Sequence, residues 1–153
     1  MTSSAAIYTD NRPALERGED LATRMNPDLR AVLEPRYENL APGFTDTLIE
    51  FAYGRLYSRE GLDLKTRQIA TVAALTAMGG QTGPQLKINI EHALAVGASE
   101  KELVEVIFQM AVYGGMPATI NALNAAAEIF SEREMRVDQG PDGGTSLTQA
   151  TGG

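Results

Sequence analysis

Cysteine is absent from this chain of 153 residues, and histidine occurs once. Without a thiol there is no disulfide, no thiolate zinc site and no thiol-based redox cycle within the chain. A single imidazole excludes a multi-histidine metal site within one subunit. Positive charge is in deficit, with 13 Lys and Arg against 20 Asp and Glu and a formal charge of −7. No excess of cations exists to release counterions, which argues against partners such as nucleic acid or an anionic membrane. An anionic substrate would need a local cationic pocket working against the global field. Long apolar runs are missing too, since none approaches the roughly 20 residues that span a bilayer. The opening MTSSAAIYTDN lacks the basic stretch and apolar run of a signal peptide. These absences lead to the expectation of a soluble cytoplasmic protein.

What is present suits one globular domain, with 43% hydrophobic and 22% charged residues. We expect a flexible N-terminus over residues 1–11, a single domain over 12–136, and a disordered Gly/Ser/Thr-rich tail over 137–153. The body reads as helix after helix. A first helix is expected from Pro13 to Met25, with Asn26-Pro27 ending it. A shorter one follows Asp28, interrupted near Pro35 and stopped by Ala41-Pro42-Gly43. From Phe44 to Tyr57, Leu48, Ile49, Ala52, Tyr53 and Leu56 form one stripe at helical spacing. Asp63 is a good N-cap for a helix to Met78, with Gly79-Gly80 as its stop.

The next segment is ambiguous, because Leu86, Ile88 and Ile90 alternate with polar residues as in a short strand. Over a longer window Leu86, Ile90, Ala93 and Leu94, then Gly97, fit a helix, which is preferred because nothing else offers a strand partner. Ser99 and Glu102 form a capping box opening a helix to Tyr113 that is apolar almost all round. Such a helix is buried on most sides, in part against another subunit. After Gly114-Gly115, Pro117 starts a last helix with Ile120, Leu123, Ala127 and Phe130 on one face. The expected fold is all-α, with about six or seven helices.

Two tracts carry a resemblance. One is FAYGRLYSREGLDLKTRQIATVAAL, from Phe51 to Leu75. The other is ALAVGASEKELVEVIFQMAVYGGMPATINAL, with its Ala-x-x-x-Gly, Glu-x-x-x-Val and Gln-x-Ala-x-Tyr-x-Gly-x-Pro order. In order and spacing they resemble the carboxymuconolactone decarboxylase family, which includes the AhpD-like alkylhydroperoxidases. The likeness covers roughly Ala14 to Phe130 and is closer to the γ-carboxymuconolactone decarboxylase branch. It implies an AhpD-like helical fold and a homo-oligomer, commonly a hexamer built as a trimer of dimers. It also implies cofactor-independent decarboxylation or proton transfer on a small carboxylated lactone or related oxo-acid. The alternatives are recruitment to another cyclic substrate, or a non-catalytic oligomer that binds a small molecule or serves as a scaffold.

The departures from the family pattern matter equally. Peroxidase-type members use Cys-x-x-Cys-x-x-x-His, and those positions here hold Thr82, Gln85 and Asn89, so hydroperoxide reduction is excluded. Asn89 also stands where the decarboxylase branch usually keeps His. His92 lies three positions on, about 60° around the helix and one turn along.

The resemblance implies a pocket between the helices carrying Arg67, Asn89 and Gln109, near a subunit interface. Decarboxylation needs a cation for the carboxylate, donors for the developing oxyanion, and an acid to return a proton to carbon. Arg67 suits the first role through its guanidinium fork, unless it is a helix-start Arg paired with Glu60 or Asp63. His92 is the candidate proton donor, unless it is an exposed residue beside Glu91 or makes an inter-subunit hydrogen bond. Asn89 either orients a substrate carbonyl or satisfies backbone groups. Glu102, Glu105, Gln109 and Tyr113 make one polar stripe. Capping accounts for Glu102, leaving Glu105 as a base or a partner for His92 or Arg67, and Gln109 and Tyr113 as substrate contacts. Gln68, where many relatives carry an acid, is a further substrate-binding candidate.

Overall fold

The computed structural model describes residues 7–138, and the part of the expected tail from 139 onward lies outside the described residues. The protein is all-α, with no strand among the described residues. No helix among them is long and apolar enough to cross a membrane.

The N-terminal half is built on α1 (Ala14–Met25), which starts after Pro13 and buries Gly18, Leu21, Ala22 and Met25. That i, i+3, i+4, i+7 spacing turns one stripe inward. Helix α2 (Leu29–Tyr37) runs through Pro35 instead of breaking there. Proline cannot donate to the carbonyl of Ala31, but Ala31 is exposed, so water can take that acceptor. Arg30 clips the layer together by pairing with Glu19 of α1, with Glu34 at 2.5 Å, and with Asp46 at 2.8 Å. Asp46 belongs to α3 (Phe44–Leu48), which passes directly into a π-helical segment, Ile49–Tyr57.

That π segment departs from the 3.6-residue stripe. Its wider i→i+5 turns, closed by Ser58 N–H to the Tyr53 carbonyl at 3.1 Å, rotate later residues around the axis. Ile49 and Tyr53 are buried as the stripe requires, whereas Leu56 turns outward and Tyr57 packs on the core instead. The segment lies against α1 with backbone on backbone. A Cβ on Gly18 would sit 2.5 Å from the Ile49 carbonyl oxygen, and one on Gly54 would overlap the Ala14 carbonyl. Only glycine lets the helices approach this closely. Arg17 seals the contact by donating Nη2 to the Gly54 carbonyl at 2.9 Å.

The C-terminal half holds α4 (Leu64–Met78), α5 (Gly83–Ala95), α6 (Glu100–Gln109), α7 (Ala111–Gly114) and α8 (Met116–Asp138). Asp63 caps α4 by accepting from Thr66 N–H at 2.8 Å, and Gly79 ends it. A 3-10 turn, Gly80–Thr82, folds α5 back along α4 as a hairpin. The ambiguous stretch after Gln85 is therefore helical, and it buries Leu86, Ile90 and Ala93. Those residues join Val72, Leu103, Ile107, Ala122, Ala126 and Ile129 in a second core. Each fully buried Leu or Ile there contributes on the order of 2 kcal/mol.

Ser99 and Glu102 complete the capping box of α6. The helix expected to reach Tyr113 breaks at Met110, whose N–H is shared between the Val106 and Ile107 carbonyls. It is also less enclosed than its sequence suggests, because within one chain only Leu103 and Ile107 are buried. Val104, Phe108, Val112 and Tyr113 face outward. Replacing Gly54 with Ala is expected to lower stability by about 3 kcal/mol, the upper range for an overpacked site. Urea denaturation of the variant beside the parent protein measures it, and an unchanged midpoint contradicts the backbone-contact reading.

Candidate functional site

His92 lies in the last turn of α5, at the seam between the two cores, and is 3% exposed. Its ring stands edge-on to Tyr53, with centroids 6.3 Å apart and planes at 67°. Tyr53 in turn meets Tyr57 edge-on at 5.4 Å. Neither His92 Nδ1 nor Nε2 has a hydrogen-bond partner in the protein. Burial pushes the imidazole pKa below its ordinary 6.5, with Glu91 opposing. Burial likewise raises the Tyr53 phenol, and the negative charge of ionised Tyr57 adds to this. At neutral pH the pair is an uncharged imidazole beside a protonated phenol.

Gln68 is fully buried in α4, and neither its amide oxygen nor its nitrogen meets a protein partner. Buried polar atoms are nearly always paired, and among the described residues His92 and Gln68 are the two that leave a pair of such side-chain atoms without a partner, beside single atoms on Thr45, Arg17 and Arg67. Arg67, next to Gln68, is half-buried, gives Nη2 to the Arg59 carbonyl at 2.9 Å, and keeps Nε buried without a partner. It pairs with neither Glu60 nor Asp63; Asp63 is committed to the Thr66 N–H and hydroxyl. The α4–α5 hairpin brings the start of α4 and the end of α5 to the same end of the bundle. Lys65 fixes the start of α6 there as well, through Glu102 at 2.8 Å. The ammonium and the Ser99 N–H together hold the Glu102 carboxyl down at about 2.

Asn89 lies one turn before His92 on α5, and the other expected residues lie on α6 and α7. Asn89 is half-buried and donates Nδ2 to the Gln85 carbonyl at 2.8 Å, so its amide serves its own helix. Glu105, Gln109 and Tyr113 are exposed on α6 and α7. Among the described residues Glu105 forms no ion pair with His92 or Arg67. Its helix turns it outward, while Leu103 and Ile107 face the core. The chain by itself thus brings His92, Gln68 and Arg67 to one end of the α4–α5 hairpin, with half-buried Asn89 one turn from His92, and leaves Glu105, Gln109 and Tyr113 exposed. Among the described residues no cluster of His, Asp and Glu is placed to hold a metal ion. Tyr53 was not foreseen as a site residue, because in the stripe it reads as ordinary core. Its i, i+4 relation to Tyr57 was the available signal.

A depressed histidine pKa fixes a sign. Below 6.5 the unfolded chain binds a proton that the folded one resists, so stability falls as pH drops through the unfolded value. The urea midpoint should therefore decline between about pH 7.5 and 5.5 more steeply in the parent than in His92→Asn. Because His92 is the single histidine, its ring-proton resonance is unique, and an NMR titration midpoint at or above 6.5 would contradict the burial effect.

Comparison with known proteins places this arrangement. The model of the carboxymuconolactone decarboxylase family matches residues 42–128, which hold every residue of both groups. An uncharacterized 15.0 kDa protein of Paracoccus denitrificans is 38% identical over 120 residues, covering 78% of this chain and 90% of its own. A 4-carboxymuconolactone decarboxylase of Acinetobacter baylyi is 33% identical over 89 residues, covering 58% of this chain and 65% of its own. A nitrosuccinic acid decarboxylase of Metarhizium robertsii is 28% identical over 95 residues, covering 62% and 63%. The chain thus spans just under two thirds of each of these two decarboxylases. By the family match over more than half its length and by its likeness to the Paracoccus protein, this chain belongs to the carboxymuconolactone decarboxylase family.

Proposed function

We propose that this protein decarboxylates a small carboxylated lactone or related oxo-acid without a cofactor, using His92 as the central polar group. The observation that carries the reading is the buried imidazole with both nitrogens free of protein partners, at the same end of the bundle as the equally unpartnered Gln68 amide. A neutral imidazole offers one donor and one acceptor. In decarboxylation the bond to the carboxylate carbon breaks, CO2 leaves, and the electron pair spreads into a conjugated carbonyl. An N–H of His92 and the Gln68 amide can then stabilise the developing enolate oxygen, and the His92 N–H returns a proton to carbon, the imidazole regaining one from solvent. Arg67 anchors a substrate carboxylate through its guanidinium. Kinship with two proteins named as decarboxylases supports the class of reaction.

The outer group fits this reading if another copy of the chain covers it. Val104, Phe108 and Val112 recur at i, i+4 and continue into Tyr113, Met116 and Ile120, all exposed in one chain. A run of exposed apolar residues of this kind marks an interface. Packing a second subunit there would enclose Glu105, Gln109 and Tyr113 beside it, and the family resemblance makes a hexamer the expected assembly.

Two measurements follow. Purified protein should release CO2 from 4-carboxymuconolactone. His92→Asn should lower kcat by about 100-fold, typical of one lost oxyanion donor, and Arg67→Gln should act mainly on KM. Absence of turnover at micromolar enzyme rejects the proposed reaction for that substrate. Phe108→Glu should shift the mass measured by light scattering toward smaller species, and an unchanged mass rejects this face as the interface.

A further inference from the structure

A cavity of about 570 Å³ lies against the N-terminal core, lined by the segment before α1, by α1 itself and by residues between Tyr57 and Leu64. None of the residues expected at the site lines it. Its volume falls within the range of small-molecule sites. The charges around it divide unevenly. Arg12 is closed off by carboxylates, donating Nη2 to Asp10 at 2.7 Å and to Asp20 at 2.5 Å. Arg17 and Arg24, also in the wall, form no ion pair among the described residues.

Arg17 is held in place by neutral groups. Its guanidinium donates to the carbonyls of Arg12 and Gly54 and lies 4.1 Å from the centre of the Tyr8 ring. Its Nε is buried without a partner. Carbonyls and an aromatic face orient a cation without neutralising it. The wall therefore carries three guanidiniums against two carboxylates, a net charge of +1, in a chain whose formal charge is −7. Beside them lie the apolar surfaces of Leu21, Tyr57 and Leu64.

The geometry points to a binding site for a small organic acid, with its carboxylate on Arg17 and Arg24 and its apolar body against Leu21, Tyr57 and Leu64. Guanidinium forks match a carboxylate, and the apolar wall favours a carbon skeleton over an inorganic anion. The site is separate from His92, since the Tyr57 and Tyr53 rings stand between them. It does not depend on the chain being a decarboxylase.

Benzoate and inorganic phosphate serve as probes on the full chain, with binding followed by amide NMR shifts. Benzoate should saturate, with shifts centred on Thr23 and Ser58, and phosphate should bind more weakly. Arg24→Gln should weaken benzoate at least about tenfold, the scale of one lost charge-assisted contact, and Arg67→Gln should leave it unchanged. Arg24 is the residue to change because Arg17 also holds the Gly54 carbonyl, so its loss would disturb folding. The proposal is overturned by absence of saturation at about 10 mM benzoate, by Arg24→Gln binding as the parent does, by shifts centred on Arg67, or by phosphate binding as tightly as benzoate. None of these readings requires turnover, so they stand apart from the CO2 assay.

Discussion

The close contact of α1 with the π segment, backbone against backbone at Gly18 and Gly54, is the constraint on which the other features depend. It brings Arg17 within reach of the Gly54 carbonyl and fixes that guanidinium at the cavity wall. It also sets the rotation of the segment, so that Tyr53 points to the seam and Tyr57 follows it inward. Because Tyr53 is packed in the N-terminal core and His92 ends α5 of the other half, one aromatic contact joins the two cores. The surroundings that make the imidazole neutral thus begin with two residues lacking a side chain.

The polar groups at the seam are arranged differently from those on the surface. Several surface charges are used up locally: Arg30 on three carboxylates, Lys65 on Glu102, Lys87 on Glu128. Exposed pairs of this kind add little stability individually, but they remove those side chains from consideration as ligands. His92, Gln68 and the Nε atoms of Arg67 and Arg17 are buried with no protein partner. Leaving such groups unpaired costs stability, which is the physical ground for assigning them to binding, with Arg17 serving the fold as well through the Gly54 carbonyl.

Much of the architecture was legible in the residues. Asp63, the Ser99–Glu102 box and the glycine stops at Gly79 and Gly97 act through bonds and dihedrals within a few residues, and each is found where the spacing requires. Pro35 misled because a helix can tolerate a missing donor where water replaces it, and exposure is not a local property. Asn89 drew attention by standing at a position where relatives keep a histidine, yet its amide is satisfied by Gln85 one turn back. Gln68 is the reverse case: in the sequence it is only a further substrate-binding candidate, and its burial makes it prominent.

By itself the sequence determined the all-α class, the caps at Asp63 and Ser99, the absence of thiol chemistry and the residues that carry family kinship. These depend on composition and on contacts between neighbours in the chain. Only the tertiary structure decided that Leu56 turns outward while Tyr57 turns in, that His92 is buried against Tyr53, and that Arg17 and Arg24 share a cavity. Those outcomes follow from how closely two helices approach and from how far each group is removed from water. Both are set by residues distant in sequence, so no local pattern records them.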